Sequence, residues 1–243
     1  MMSGEDRDVG EGLEPPSLWK SLGELNVLVD IGKSLLKQRR PRRRSQGAPV
    51  LVVPGFGTGD AATCVLRSRL QASGFDVHTW NLGINRGPRP GVMRRLSERV
   101  RAIARSTQHP VQIVGWSLGG LMARAIAGRL PATVACVVAL GSPLNADPRS
   151  SRLSLLLRAV SGKASGDRSV RTLLRDGARA PVTSIYTRND GVVAWQASAA
   201  APGTCRTHEV DSTHLGLMVD ADVHDLVARE LAREPFPSTI ADR

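Results

Sequence analysis

The 243-residue sequence is poor in aromatic residues and in cysteine. Four Trp, three Phe and one Tyr leave any core to be built mainly from Val, Leu, Ile and Ala. The three cysteines (Cys64, Cys136 and Cys205) are widely spaced, which predicts neither a disulfide framework nor a zinc site. No apolar run approaches the roughly 20 residues that cross a bilayer, and the acidic N-terminus lacks the apolar segment of a secretory signal. These absences favour a reduced, cytoplasmic protein.

Basic residues outnumber acidic residues. Lys and Arg number 33 against 22 Asp and Glu, which gives a formal net charge of +11. This excess favours anionic partners without choosing among membrane, nucleic acid and acidic ligand. The hydrophobic fraction of 41% and the chain length are typical of one α/β domain and exclude a disordered or coiled-coil chain.

Residues 1–47 are predicted to form an N-terminal tail that precedes the main domain. Apolar residues recur at three- to four-residue spacing through 17–38, which indicates an amphipathic helix, and a basic run continues to residue 44. One interpretation is a helix packed on the main domain and followed by a solvated linker. The other is a membrane-peripheral protein in which residues 17–44 contact anionic lipid. The basic run has no interleaved aromatic residues, so we expect no specific nucleic-acid partner.

From residue 48 onward, strand-like and helix-like segments alternate. Strands are predicted at 49–53, 75–80, 111–114, 134–140, 182–187 and 206–210, and helices at 60–73, 91–107, 118–130, 194–201 and 218–233. This alternation predicts an α/β domain over 48–234, with a mostly parallel central sheet and helices on both faces, and a C-terminal tail at 235–243. Residues 148–180 interrupt the alternation, either as a small cap over the strand ends or as a crossover helix.

The strongest local signal is the five-residue segment Gly115-Trp116-Ser117-Leu118-Gly119. It follows a predicted strand and opens a predicted helix, as a nucleophile elbow does. The flanking glycines leave space where a side chain would collide with the neighbouring strand and helix. The helix N-terminus turns its positive dipole end toward a developing anion. Ser117 is therefore the predicted nucleophile.

A serine hydroxyl is a weak nucleophile at neutral pH and needs a base held beside it. His214 is the predicted base, because it lies in the loop between the last strand and the closing helix, where such a site places its histidine. The predicted acid is Asp190, which follows the penultimate strand in a turn and would orient His214. Asp211 and Asp147 are the alternative acids.

The oxyanion of an acyl-transfer intermediate needs two backbone donors. The N–H of Leu118 is one predicted donor, and the N–H of Phe56, in the glycine-rich loop after the first strand, is the other. Trp116, Leu144 and Trp195 are candidates for the wall of a substrate pocket, with core packing as the alternative. Their apolar character favours an acyl or lipid-like substrate.

With these residues in place, the chain from about 48 to 234 resembles the α/β-hydrolase superfamily, and within it the small bacterial lipases and esterases. Five segments carry the resemblance: 48–56, 114–120, 140–143, 185–193 and 212–217. The resemblance implies a triad of Ser117, Asp190 and His214, and an insert after the equivalent of the sixth strand. One departure is Pro54, where many members carry His before the glycine.

The expected function is therefore hydrolysis of a small-molecule carboxylic ester through an acyl-serine, with no metal and no organic cofactor. Two alternatives use the same fold. One is a catalytically silent protein that binds a membrane or a partner, which the amphipathic helix and the basic run would serve. The other is acyl transfer to an alcohol or an amine through the same acyl-serine.

Overall fold

The computed structural model describes residues 47–145, 178–199 and 205–233. The expectations for the N-terminal tail and its membrane contact, for nearly all of the insert at 148–180 and for the C-terminal tail lie outside the described residues. Within these three stretches, no helix has both the length and the apolar character that a membrane span requires.

In the described part of the chain, six strands form one parallel sheet in the order β2-β1-β3-β4-β5-β6. The strands are β1 Pro49–Val53, β2 Asp76–His78, β3 Val111–Trp116, β4 Val134–Leu140, β5 Val182–Tyr186 and β6 Arg206–Glu209. Since all six run in the same direction, their carboxyl ends share one edge of the sheet. Loops from distant parts of the sequence meet at that edge, which is where open α/β sheets bind ligands.

Five α-helices accompany the strands in the described residues. They are α1 Cys64–Ala72, α2 Pro90–Thr107, α3 Leu118–Arg129, α4 Trp195–Ser198 and α5 Ala221–Arg233. Short 3-10 turns precede two of them, at Asp60–Thr63 before α1 and at Gly216–Met218 before α5. The helix predicted at 60–73 is therefore divided into a tight first turn and an α-helix, whereas the helix predicted at 218–233 begins later, at Ala221.

The strand side chains alternate between two apolar layers. On β1, Leu51 and Val53 pack with residues of α2 and α3, whereas Val50 and Val52 pack with residues of α1 and α5. All four are fully buried. A strand buried on both faces reads as a continuous apolar run, as β1 does. The predicted parallel sheet with helices on both faces is confirmed.

The strand predicted at 75–80 differs most from its predicted bounds, because β2 spans only Asp76–His78. The backbone N–H of Trp80 donates to Asp60 Oδ1 at 2.8 Å, and its indole Nε1 donates to Gly83 O at 3.0 Å. The carboxylate of Asp60 thus accepts the Trp80 N–H, which in a longer strand would be free to pair within the sheet.

His224 on α5 makes the fold sensitive to acid. It is 1% exposed, and burial lowers its pKa from 6.5 to about 4, since the charged imidazolium loses its hydration. The unfolded chain takes up this proton at the higher pKa, so the free energy of unfolding falls as pH drops from about 6.5 toward 4. The expected loss is roughly 3 kcal/mol. His224→Leu removes this titration and flattens the dependence, which urea unfolding at neutral pH and at about pH 4.5 would measure.

The matched control is His78→Gln, because the side chain of His78 is 21% exposed. We expect this variant to lose stability with acid as the wild type does. Equal acid sensitivity in the wild type and in His224→Leu would contradict the assignment.

Candidate active site

Ser117 occupies the sharp turn between β3 and α3. Its backbone angles are φ 54° and ψ −123°, a conformation that residues other than glycine rarely adopt. The turn is anchored by the N–H of Ser117, which donates to Leu140 O of β4 at 2.8 Å. Ser117 is half-buried, whereas the three residues on each side of it are buried. The strained turn therefore presents this serine at the carboxyl edge of the sheet, among neighbours that are buried.

The glycines on either side of Ser117 are required by close packing. A β-carbon at Gly115 would lie 2.5 Å from the Cα of Gly120. One at Gly119 would lie 2.5 Å from Val53 O, at the end of β1. Both distances are shorter than any normal contact of a β-carbon, so a side chain at either position would collide with the backbone. This agrees with the prediction that both positions require glycine.

His214 and Asp190 form a buried hydrogen-bonded pair. His214 Nδ1 lies 2.7 Å from Asp190 Oδ2, and the two side chains are 3% and 1% exposed. The other carboxylate oxygen of Asp190, Oδ1, accepts the backbone N–H groups of Val192 at 2.8 Å and Val193 at 2.6 Å. Both oxygens are thus held in place, and the contact through Nδ1 turns Nε2 of the imidazole away from the carboxylate.

The alternative acids are placed differently. Asp211 is exposed, and its Oδ1 accepts a hydrogen bond from Asn189 Nδ2 at 3.1 Å. Asp147 lies outside the described residues.

Contacts through neighbouring residues bring the His214 loop beside the serine turn. Trp116, which precedes Ser117, donates from Nε1 to His214 O at 3.1 Å, and its ring centroid lies 5.5 Å from that of the imidazole. Gly141 follows the strand residue that anchors Ser117, and a β-carbon there would lie 3.0 Å from His214 Nδ1 and 3.2 Å from Asp190 Oδ2. The serine, the imidazole and the carboxylate therefore lie at one edge of the sheet.

Thr187 links the loops that carry the acid and the base, and the sequence analysis did not select it. This buried threonine follows β5 directly, and its Oγ1 donates to Ser212 O at 2.7 Å. The same oxygen accepts the N–H of Asn189 at 3.1 Å. A polar residue just after a buried strand was the only signal in the sequence.

The two residues predicted to supply the oxyanion donors have side chains that border the same glycine. A β-carbon at Gly87 would lie 3.8 Å from Phe56 Cε2 and 3.9 Å from Leu118 Cδ2, so both side chains border the same glycine. Leu118 is the first residue of α3, where backbone N–H groups have no partner inside the helix. Among the residues that the structure describes, neither the Phe56 N–H nor the Leu118 N–H donates a hydrogen bond. Both donors are thus available to a ligand oxygen.

The Phe56 N–H is directed by the turn around it. Gly55 O accepts Thr58 Oγ1 at 2.8 Å and Thr58 N at 3.3 Å. In a trans peptide the C=O and the following N–H point in opposite directions. Fixing the carbonyl of Gly55 therefore fixes the direction of the Phe56 N–H.

The pocket candidates make contacts of several kinds. Trp195 is half-buried, with its ring 6.0 Å from that of Tyr186 and 4.4 Å from Arg188 Cζ. Leu144 belongs to the buried cluster on the α2 and α3 side of the sheet, and Trp116 is 6% exposed and packs under the oxyanion loop. Their role as pocket walls stays a prediction.

Residues 48–160, slightly less than half of the chain, match the family model of the alpha/beta hydrolase fold. No curated protein sequence matches the chain.

Among solved structures, the chain is similar to lipase B of Aspergillus fumigatus, with a TM-score of 0.62 and 19% identity over 82% of this chain. It spans 55% of the length of that lipase. It is also similar to a monoacylglycerol lipase of Paleococcus ferrophilus, with a TM-score of 0.56 and 17% identity over 76% of this chain and 94% of that one. Est1E from Butyrivibrio proteoclasticus gives a TM-score of 0.53 and 14% identity, over 79% of this chain and 92% of that one.

At these identities the similarity shows the fold alone. The family match, the parallel sheet and the strained serine turn agree with one another. The chain therefore has the α/β-hydrolase fold.

Proposed function

We propose that the protein is a serine hydrolase that cleaves a carboxylic ester through an acyl intermediate on Ser117. The observation that carries the proposal is the buried hydrogen bond of 2.7 Å between His214 and Asp190, at the same sheet edge as the strained serine turn. Polar side chains are costly to bury unless they are hydrogen-bonded. A carboxylate that orients a catalytic base accounts for burying this pair at the sheet edge.

The proposed reaction begins with proton transfer from Ser117 to His214. As Oγ attacks the ester carbonyl carbon, Nε2 of His214 takes the hydroxyl proton, and Asp190 stabilises the resulting imidazolium through Nδ1–H. The carbonyl oxygen becomes an oxyanion that accepts hydrogen bonds from the N–H groups of Phe56 and Leu118. Collapse of the intermediate breaks the bond to the alcohol oxygen, which leaves with the proton from His214.

Deacylation repeats these steps with water. Nε2 of His214 takes a proton from a water molecule as the water oxygen attacks the acyl carbon of acyl-Ser117. The second tetrahedral intermediate uses the same two N–H donors. Its collapse releases the carboxylic acid and returns the proton to Ser117 Oγ, so that no metal or organic cofactor takes part.

The site favours an apolar acyl group. The side chains of Phe56 and Leu118 stand beside the two oxyanion donors, where the acyl part of a bound ester would lie. Apolar side chains around a few placed polar groups are typical of sites that orient an apolar ligand. Two of the similar structures are named lipases, which makes p-nitrophenyl esters and monoacylglycerols reasonable first substrates.

The direct test is hydrolysis of p-nitrophenyl esters with short, medium and long acyl chains by the purified protein. We expect saturable turnover, with a preference among chain lengths that reports the acyl site. Release of p-nitrophenol no faster than with heat-denatured protein, for every ester tried, would contradict the proposal.

Gly141→Ala should disturb the acid–base pair directly. Gly141 has φ +54°, and an added β-carbon would lie within 3.2 Å of both His214 Nδ1 and Asp190 Oδ2. A displacement of catalytic groups by about 1 Å costs on the order of 100-fold, so ester turnover should fall by about that factor. Steady-state kinetics with a p-nitrophenyl ester would measure the loss.

The matched control is Gly91→Ala in the first turn of α2, where a β-carbon would meet nothing within 4 Å. We expect Gly91→Ala to keep wild-type turnover and stability. Wild-type turnover in Gly141→Ala would mean that this pair does not act in catalysis.

A further inference from the structure

We infer that Asn85 is the residue that positions the Phe56 oxyanion donor, an inference that rests on the proposed function. Asn85 lies in the loop between β2 and α2 and is fully buried. The loop has no helical or strand periodicity, and the sequence analysis did not select this residue. The assignment therefore rests on the contacts that Asn85 makes.

The backbone of Asn85 pairs with the oxyanion loop in both directions. Its N–H donates to Thr58 O at 2.8 Å, and its carbonyl accepts the N–H of Gly57 at 2.8 Å. The two loops are thus joined like a short piece of β-ladder. This pairing holds the oxyanion loop on the C-terminal side of Phe56.

The side chain of Asn85 holds the other side of the same loop. Nδ2 donates to Pro54 O at 2.8 Å, and Oδ1 accepts the N–H of Gly87 at 3.0 Å. The carboxamide makes both bonds because it combines a donor and an acceptor on one planar group. The peptide group between Gly55 and Phe56 is therefore restrained from both ends by one residue.

Asn85 also contacts the helix that supplies the second donor. Its Nδ2 lies 3.6 Å from Met122 Sδ, one turn into α3, whose first residue is Leu118. The carbonyl oxygen of Pro54, which accepts the hydrogen bond from Asn85, also lies close to the start of α3. A β-carbon at Gly119 would be 2.6 Å from that oxygen. Asn85 thus sets the oxyanion loop against α3, and with it the spacing of the two N–H groups.

Such positioning affects the transition state more than substrate binding. The donors must be aimed at the place where negative charge develops, not at the ground-state carbonyl oxygen. An interaction of this kind contributes to kcat and little to KM. Loss of the Asn85 side-chain bonds should therefore lower kcat and leave KM nearly unchanged.

The test compares Asn85→Asp with the matched control Gln112→Glu. Asn85→Asp keeps the shape and the Oδ1 acceptor but removes the N–H donor to Pro54 O. Gln112 is likewise a buried amide that donates to a backbone carbonyl at 2.8 Å, that of Leu231, but it lies near the start of β3, away from the sheet edge with the site. Turnover is expressed per Ser117 labelled to completion with a fluorophosphonate, so that unfolded molecules are not counted.

We expect kcat of Asn85→Asp to fall by roughly 10- to 100-fold, less than the loss on removing an oxyanion donor outright. KM should stay within about 3-fold. Asn85→Ser, which is uncharged but too short to reach Pro54 O, should lose kcat in the same way, and the acidic limb of its pH–rate profile should not move, because the base is untouched. Gln112→Glu should keep its kcat per labelled site.

A second measurement reports on the loop without using turnover. Amide hydrogen exchange over residues 54–58 should be faster in Asn85→Asp than in the wild type, with no change in β3. Unchanged kcat per labelled site in the Asn85 variants, or an equal loss in Gln112→Glu, would overturn the inference while wild-type turnover leaves the proposed function intact. A wild-type protein that hydrolyses no ester would remove the proposed function and this inference together.

Discussion

Ser117→Ala is expected to lower ester turnover by about 10⁴-fold or more, because it removes the oxygen that becomes acylated. The oxyanion donors remain, so a small residual rate over buffer should persist. Alanine has the same β-carbon as serine and meets the same backbone strain at φ 54°, so the fold should be retained. The measurements are p-nitrophenyl ester kinetics and thermal unfolding of the same preparation.

The matched control for this variant is Ser97→Ala on α2. The hydroxyl of Ser97 donates to Met93 O at 2.9 Å within the helix, away from the sheet edge that carries the site. We expect wild-type turnover in Ser97→Ala. If Ser117→Ala kept its activity, the nucleophile would have to be another residue.

Asp190→Asn should lower kcat by roughly 10³- to 10⁴-fold. The amide oxygen can still accept the N–H groups of Val192 and Val193, which hold the loop at 2.8 Å and 2.6 Å in the wild type. The amide nitrogen then faces Nδ1 of His214 and donates to it, which places the imidazole proton on Nε2. In that tautomer the imidazole cannot accept the proton of Ser117.

Asp211→Asn is the matched control, and it also tests the alternative acid. Asp211 is exposed and contacts Asn189, so its substitution should leave kcat within about 3-fold of the wild type. Near wild-type kcat in Asp190→Asn, or a comparable loss in Asp211→Asn, would show that Asp190 is not the acid that orients the base. Steady-state kinetics on both variants decides between these outcomes.

The elements that the sequence predicted well are those with strong local signals. β1 and β4 have the predicted bounds, because both are apolar runs rich in valine that end at turns. The start of α3 follows from the glycine-flanked serine. Because the sheet is parallel, correct strand order in the sequence was enough to place Ser117, Asp190 and His214 at one edge.

The residues that sequence analysis missed act through contacts between loops. The bond from Asn85 to Pro54 joins residues 31 apart, and that from Thr187 to Ser212 joins residues 25 apart. β2 is shortened by a contact of the same kind, because the N–H of Trp80 donates to Asp60, 20 residues earlier in the sequence. No hydrophobic period marks such residues, because they depend on which loops the fold brings together.

In the proposed mechanism, a hydroxyl on a strained turn is activated by an imidazole whose orientation a buried carboxylate fixes. Incubation of the native protein with a fluorophosphonate probe, followed by mapping of the labelled peptide, tests this activation without any choice of substrate. We expect one label per chain, on Ser117, that heat denaturation prevents and that forms far more slowly in Asp190→Asn. Absence of labelling, or a label on a different serine, would contradict it.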